Sequence, residues 1–271
     1  MIKEGGVLVD GKLRKASYPL TAGERLSVTL PEPEATEVLP ENIPLDILYE
    51  DKDVIVINKP KGMVVHPAAG HTGGTLVNAL LYHCKDSLSG INGILRPGIV
   101  HRIDKDTTGV MIACKNDRAH QCIAEQLKAH SITRRYLALA QGRMQEEEGT
   151  VDAPLGRDPE NRKRMKSGMI GGKHAVTHYR VLERFASATY LECRLETGRT
   201  HQIRAHLASL GHPLLGDTVY GSGKNPYHLE GQCLHAVVLG FRHPADGRYL
   251  EFTAPLPTYF EALLDKFRQK A

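Results

Sequence analysis

The stretch GIVHRIDKDTTGVMIA, residues 98–113, sets the carboxylates Asp104 and Asp106 beside His101, Arg102 and Lys105, between apolar runs. A carboxylate held between fixed positive charges at the edge of a core suits nucleophilic or acid–base work. The same letters also make an ordinary turn. Asp106-Thr107-Thr108-Gly109 could bond its own backbone, with Gly109 supplying a φ that other residues resist. That turn accounts for Asp106 but not for Asp104, which precedes it and follows the apolar Ile103. A second group lies in RTHQIRAH, where Arg199 and Arg204 are interleaved with His201 and His206. Arg204 follows Ile203, expected to face inward, so its guanidinium sits near the core edge and needs an anion. Tyr136 shares a strand face with Ala138 and Ala140, and small neighbours leave room over its ring, although a plain core tyrosine fits the same pattern. Finally, GRDPENRKRMKSGMIGGKHA gathers Arg157, Arg162, Lys163, Arg164 and Lys166 between Gly and Pro breaks. Such a run is either a solvated face or a loop that tracks a phosphate backbone.

Other chemistries find less support. Of the 14 histidines, His201, His206 and His212 are spaced by five and six with no acidic residue between them, unlike a helical His-Glu-x-x-His site, so no metal is expected. GHTGGT lacks the Gly-Lys-Ser/Thr of a phosphate-binding loop. The five cysteines are widely spaced, without a Cys-x-x-Cys pair, and read as small core residues. DKDTT does match the Asp-x-Asp-x-Thr pattern of haloacid-dehalogenase-like phosphatases, which implies an aspartate nucleophile and Mg²⁺. That motif follows a fully apolar strand of a parallel sheet, whereas here His101-Arg102 interrupts the run.

The elements that must carry these groups are legible in outline. With 271 residues, 41% hydrophobic, the chain can bury one large core and a small appendage. A formal charge of +4 permits a polyanionic partner without requiring one. No apolar run approaches 18 residues and no signal-peptide pattern opens the chain, so a cytoplasmic protein without a membrane partner is expected, as a monomer. Proline and glutamate crowd residues 31–44, expected as a linker between a small piece at 1–30 and a main domain at 45–271. The small piece reads as short strands at Val7–Val9 and Leu26–Leu30 with a turn at Asp10-Gly11.

In the main domain, a hairpin turns through Asp51-Lys52-Asp53. A helix follows with Leu76, Ala79, Leu80 and His83 on one stripe, and another with Asp117 as its cap and Ala119, Ile123 and Leu127 at i+4 spacings. Strands are expected at 135–141, 176–183 and 190–196, the last alternating Leu191, Cys193 and Leu195 with charged residues. A helix begins near Thr200, a hairpin closes at Asp246-Gly247, and a last helix shows Phe260, Leu263, Leu264 and Phe267 at i, i+3, i+4 and i+7. Helices and strands mix without a βα rhythm, so the fold class is α+β, with a mixed, largely antiparallel central sheet and flanking helices.

HRIDKDTTG resembles the His-Arg-Leu-Asp-x-x-Thr-Ser-Gly signature of the RluA-type pseudouridine synthases, with Ile103 for Leu and Thr108 for Ser. NKPKGMVVHP, ITRRYLAL, ETGRTHQIRAHLASLGHPLLGD and LHAVVLGFRHP are similar to that family's further segments, in order, over roughly residues 45–260; Arg134 stands where lysine is expected. The front piece is similar to the second half of an S4 RNA-binding domain.

The resemblance implies a central cleft and no cofactor. It implies Asp104 as the catalytic aspartate, Arg204 as its ion-pair partner, and Tyr136 stacked near the base as a candidate for proton transfer at C5. Arg102 would hold open the space a flipped uridine vacates, with Lys59, Arg162, Lys163, Arg164 and Lys166 as candidate phosphate contacts. AAGHTGG and RPGIVHRIDKDTTG look nearest to the branch that acts on large-subunit ribosomal RNA, with transfer RNA as the other possible partner. An RNA-binding module without activity is the reading from a different class.

Overall fold

The computed structural model of the chain describes residues 1–30, 38–67, 71–85, 87–93, 96–221, 223 and 225–270. Two compact units emerge, Met1–Glu37 and Val38–Ala271. In the first, β1 (Val7–Val9) pairs antiparallel with β2 (Lys12–Leu13) and β3 (Leu26–Val28). The turn between β1 and β2 places both Asp10 and Gly11 at positive φ, the geometry that Asp-Gly favours between twisted strands. Val9 is the one apolar residue buried there among the described residues, as expected of a piece too short to hold a core.

The expected linker falls partly on residues 31–37, which lie outside the described residues. From Val38 onward the chain belongs to the second unit. Val38 is buried in its core and Asn78 Nδ2 donates to Leu39 O at 2.7 Å.

The second unit is built on one sheet with strand order β4-β5-β6-β13-β7-β12-β11-β8. These are β4 (Ile47–Glu50), β5 (Val54–Lys59), β6 (Thr108–Cys114), β7 (Thr133–Gln141), β8 (Glu148–Asp152), β11 (Val176–Arg184), β12 (Ala188–Leu195) and β13 (Leu234–Arg242). A further strand, β14 (Tyr249–Thr253), pairs with β13. Every pairing is antiparallel except β6 with β13, so the sheet is mixed and largely antiparallel, within an α+β fold.

Both faces of the sheet are covered, which explains why β5 and β6 read as continuous apolar runs. Ile55, Ile57, Met111 and Ala113 face one core with α1 (Leu76–Cys84) and α3 (Gln202–Ser209). Val54, Val56, Val110 and Ile112 face the opposite core with α2 (Asp117–Lys128). α4 (Thr258–Arg268) closes the second face by burying Phe260, Leu263, Leu264 and Phe267 against Leu139 and Tyr190. Burying each such side chain contributes about 1.5–3 kcal/mol.

Two helix details differ from the sequence reading. His83, expected on the buried stripe of α1, is exposed and meets Glu50 Oε2 at 2.8 Å. The cap of α2 is Asn116, not Asp117: Asn116 Oδ1 accepts from Ala119 N at 2.9 Å while its Nδ2 donates to Asp53 Oδ1. A carboxamide can do both and a carboxylate cannot, so Asp117 becomes the first helical residue and accepts from Ser89 Oγ instead. At the sheet edge, Asp51 accepts from Asp53 N, Val54 N and the Tyr49 hydroxyl and meets His243 Nε2 at 2.7 Å, joining the β4–β5 turn to the β13–β14 turn.

Candidate active site

Asp104 ends an irregular segment just before β6. The turn in this region is Asp104–Thr107, closed by Thr107 N donating to Asp104 O at 3.1 Å. It is not Asp106–Gly109, because Thr108 and Gly109 already belong to β6. Gly109 does take the expected positive φ, +110°. A Cβ there would lie 2.1 Å from Ala236 O on the parallel neighbour β13, so close approach as well as φ demands glycine. Both threonines act as anchors: Gln232 Nε2 donates to Thr107 Oγ1 at 2.9 Å, and Thr108 Oγ1 meets His235 Nδ1 at 2.7 Å.

From the other side the segment is held by Lys59, at the end of β5. Its side chain is 1% exposed, and Nζ donates to Pro60 O, Met63 O and Lys105 O at 2.8–2.9 Å. Lys59 is therefore not available for a phosphate contact. It lies on a central strand with no route to solvent, and its donors satisfy carbonyls of two loops instead. Burial pushes its pKa down to about 7, opposed by Asp106 and Asp104.

Arg204 enters from α3, buried as expected from its place after Ile203. It meets two carboxylates. Nε and Nη2 donate to Asp217 Oδ2 and Oδ1 at 2.7 and 2.9 Å, and Nη1 donates to Asp104 Oδ2 at 2.8 Å. Asp217 is fully buried and also accepts from Val219 N and Tyr220 N. The bidentate pair fixes the guanidinium plane, and an N–H of Nη1 is then aimed at Asp104. Hydrogen bonds and charge from Arg204 hold the Asp217 pKa low against burial, while the two carboxylates raise that of Arg204. Sequence reasoning missed Asp217. Its signal is an acidic residue closing the apolar run of PLLGD thirteen positions after Arg204, where a second buried charge would need a partner.

Asp104 Oδ1 accepts no hydrogen bond among the described residues and has His201 Nε2 3.9 Å away. Tyr136 and Arg102 line the same cleft, of about 540 Å³. Burial raises the Tyr136 pKa, which keeps the phenol protonated. Arg102 is exposed, with Nη1 3.4 Å from His66 Nε2. Arg96, Lys128, Arg134 and Arg199 complete the basic lining, and among the described residues Asp104 is its one acidic group. Arg199 and Arg134 stand in segments already singled out from sequence, whereas Arg96 and Lys128 come from separate segments that only the fold brings to the cleft.

The structure thus brings Asp104, Tyr136, Arg204 and Arg102 together but leaves Arg162, Lys163, Arg164 and Lys166 outside the lining. Those four sit on the hairpin of β9 (Leu155–Arg157) and β10 (Met165–Ser167). Arg162, Lys163 and Lys166 are exposed, and the Arg164 guanidinium lies 5.2 Å from the centre of the Tyr220 ring. His206 binds Thr177 Oγ1 and Ala153 O, His212 binds Gln141 O, and His201 faces Tyr220, so these three histidines do not converge.

Residues 53–209 match the family described as RNA pseudouridylate synthase. The chain belongs to the RNA pseudouridylate synthases. It is 54% identical, over 99% of its length and 88% of the relative's, to the uncharacterized RNA pseudouridine synthase YlyB of Bacillus subtilis (strain 168). It is 48% identical, over 93% of its length and 81% of the relative's, to ribosomal large subunit pseudouridine synthase D of Zymomonas mobilis. Among solved structures it is similar to human RNA pseudouridylate synthase domain containing 1, with a TM-score of 0.65 and 26% identity over 88% of this chain and 97% of that one.

The phosphatase reading of DKDTT is overturned by this membership and by topology. In this RNA pseudouridylate synthase Asp104 precedes a strand rather than following one, and the sheet is largely antiparallel. The protein is an isomerase that acts on RNA.

Proposed function

We propose that the chain isomerises specific uridines of large-subunit ribosomal RNA, with Asp104 as the reacting carboxylate. The observation that carries the reading is Asp104 at a basic cleft, with Oδ2 bound by Arg204 and Oδ1 left open. The ribosomal substrate is supported by relatives named for the large subunit, such as that of Zymomonas mobilis. A uridine inside a stem-loop must leave its stack to reach the cleft, and the exposure of Arg102 at the cleft lining supports its role in filling the gap.

The reaction needs only rearrangement. The N1–C1′ bond breaks, either as Asp104 Oδ1 bonds C1′ or as the carboxylate assists loss of the sugar's C2′ proton to give a glycal. Uracil then turns within the cleft and C5 bonds C1′, releasing the carboxylate or taking the proton back at C2′. C5 loses its proton, with the Tyr136 phenol as candidate relay, and N1 gains one. Arg96, Lys128 and Arg199 are suited to phosphates near the everted nucleotide, with Arg162, Lys163, Arg164 and Lys166 suited to phosphates farther along the strand.

The test is to map pseudouridines in ribosomal and transfer RNA from cells lacking this protein, complemented with wild type or Asp104→Asn. One or more large-subunit sites should be lost, restored by wild type and not by the variant. Loss confined to transfer RNA contradicts the substrate assignment, and restoration by the variant contradicts the role of Asp104.

A further inference from the structure

We infer that His201 is a positioning residue for Asp104, and that its tautomer is set by Tyr220, which ties the catalytic carboxylate to the basic β9–β10 hairpin. The inference rests on the reading of Asp104 as the reacting group.

The backbone gives the first sign. His201 precedes α3 at φ 54° and ψ 22°, in the left-handed region, and its side chain makes no capping hydrogen bond. A residue with a Cβ takes that conformation at a cost of about 1–2 kcal/mol. The N-cap position favours Ser, Thr, Asp or Asn, so neither propensity nor capping explains histidine here. The ring is directed elsewhere: Nδ1 is 3.1 Å from the Tyr220 hydroxyl, and Nε2 is 3.9 Å from Asp104 Oδ1. The two rings meet edge-on, with centroids 5.7 Å apart.

Hydrogen-bond direction then assigns the proton. Met165 N, on β10, can only donate, and it donates to the Tyr220 oxygen at 2.7 Å. With its oxygen already accepting from Met165 N, the hydroxyl is disposed to donate its single proton to His201 Nδ1. With Nδ1 accepting, a neutral imidazole carries its proton on Nε2, the atom that faces Asp104. Burial lowers the His201 pKa, although Asp104 and Asp217 oppose the shift while Arg204 and Arg157 add to it.

The target of that N–H is specific. Arg204 already occupies Asp104 Oδ2, so His201 Nε2 faces Oδ1, the oxygen left open for substrate. At 3.9 Å the contact is one small ring or carboxylate movement from a hydrogen bond, which would orient Oδ1 and stabilise the carboxylate as it is released from C1′. Two cations also lie against Tyr220, the Arg164 guanidinium 5.2 Å and the Arg204 guanidinium 5.3 Å from its ring centre. A displacement of the hairpin therefore reaches Asp104 through one hydroxyl and one ring.

The test has two readouts. Long-range ¹H–¹⁵N spectra of the free wild-type protein, with His201 assigned by the signals lost in His201→Asn, should show the Nε2–H tautomer. In Tyr220→Phe, which keeps the ring and removes the hydroxyl, that preference should weaken. Single-turnover conversion of a large-subunit stem-loop should fall roughly 5- to 30-fold in Tyr220→Phe and in His201→Leu, the loss of one hydrogen bond, with RNA affinity nearly unchanged and the melting temperature of Tyr220→Phe lowered by several degrees because Met165 N loses its acceptor. His201→Asn, which keeps an N–H and tolerates left-handed φ, should recover part of the rate. An Nδ1–H tautomer in the wild type overturns the inference, as does a wild-type rate in His201→Leu. The tautomer is read without turnover, so an active Asp104→Asn enzyme would refute the role of Asp104 while leaving the Tyr220–His201 link to be judged on its own.

Discussion

Arg204 serves two carboxylates with one positive charge, and geometry divides its donors unequally between them. Asp217 takes two and is fully buried, while Asp104 takes one and keeps an oxygen open. Removing one partner of a buried pair costs about 3–5 kcal/mol, because the other charge is left without compensation. Asp217→Asn should therefore lower the melting temperature by about 6–20 °C and slow single-turnover conversion at least 10-fold, as Nη1 loses its fixed direction. Calorimetry and rapid-quench assays check both, and a wild-type rate would show that Asp217 does not aim the guanidinium.

At this scale the sequence was readable where a residue's chemistry leaves few options. Arg204 beside Ile203 needed an anion, and Asp104, although it opens the Asp104–Thr107 turn through its carbonyl, keeps its side chain to supply one. It was unreadable where the same side chain has two fates. The Lys59 ammonium could have met a phosphate, and only its place on a buried central strand turns it toward three carbonyls.

Among the elements, periodicity found what one-sided packing imposes. α4 buries its expected four residues, and β12 its Leu191, Cys193 and Leu195. Periodicity did not reveal the parallel pairing of β6 with β13, which depends on contacts more than a hundred residues apart. The approach to β6 also carries a titratable anchor. His101 Nε2 accepts from Ile112 N at 3.1 Å, so the ring must be neutral there, and burial, assisted by Arg134, pushes its pKa from 6.5 down to about 4. Between these values the unfolded chain binds a proton that the folded chain refuses. The stabilisation is therefore complete above about pH 6.5 and is lost progressively as pH falls toward 4. Urea unfolding at pH 7 and pH 5 should show lower stability at pH 5, and His101→Gln should shrink the difference. An undiminished difference in that variant would exclude His101 as a contributor.

For the catalytic unit as a whole, the cleft places six arginine and lysine side chains around one carboxylate, and the β9–β10 hairpin adds further cations beyond it. A modest net charge of +4 conceals this, because function depends on where the charge lies. Affinity for a stem-loop RNA should fall steeply with salt. Neutralising Arg162 and Lys163, both exposed, should reduce the slope of log K against log salt by about 1.5 if each meets a phosphate. Filter binding from 50 to 300 mM salt measures it, and an unchanged slope would place the RNA elsewhere.

In the proposed reaction one carboxylate, held by one guanidinium, does the chemistry. The most direct test of that role is release of tritium from [5-³H]uridine in a large-subunit stem-loop by wild type and Asp104→Asn, with RNA affinity measured alongside. No release by the variant and an unchanged dissociation constant are expected. Release at the wild-type rate would contradict that role.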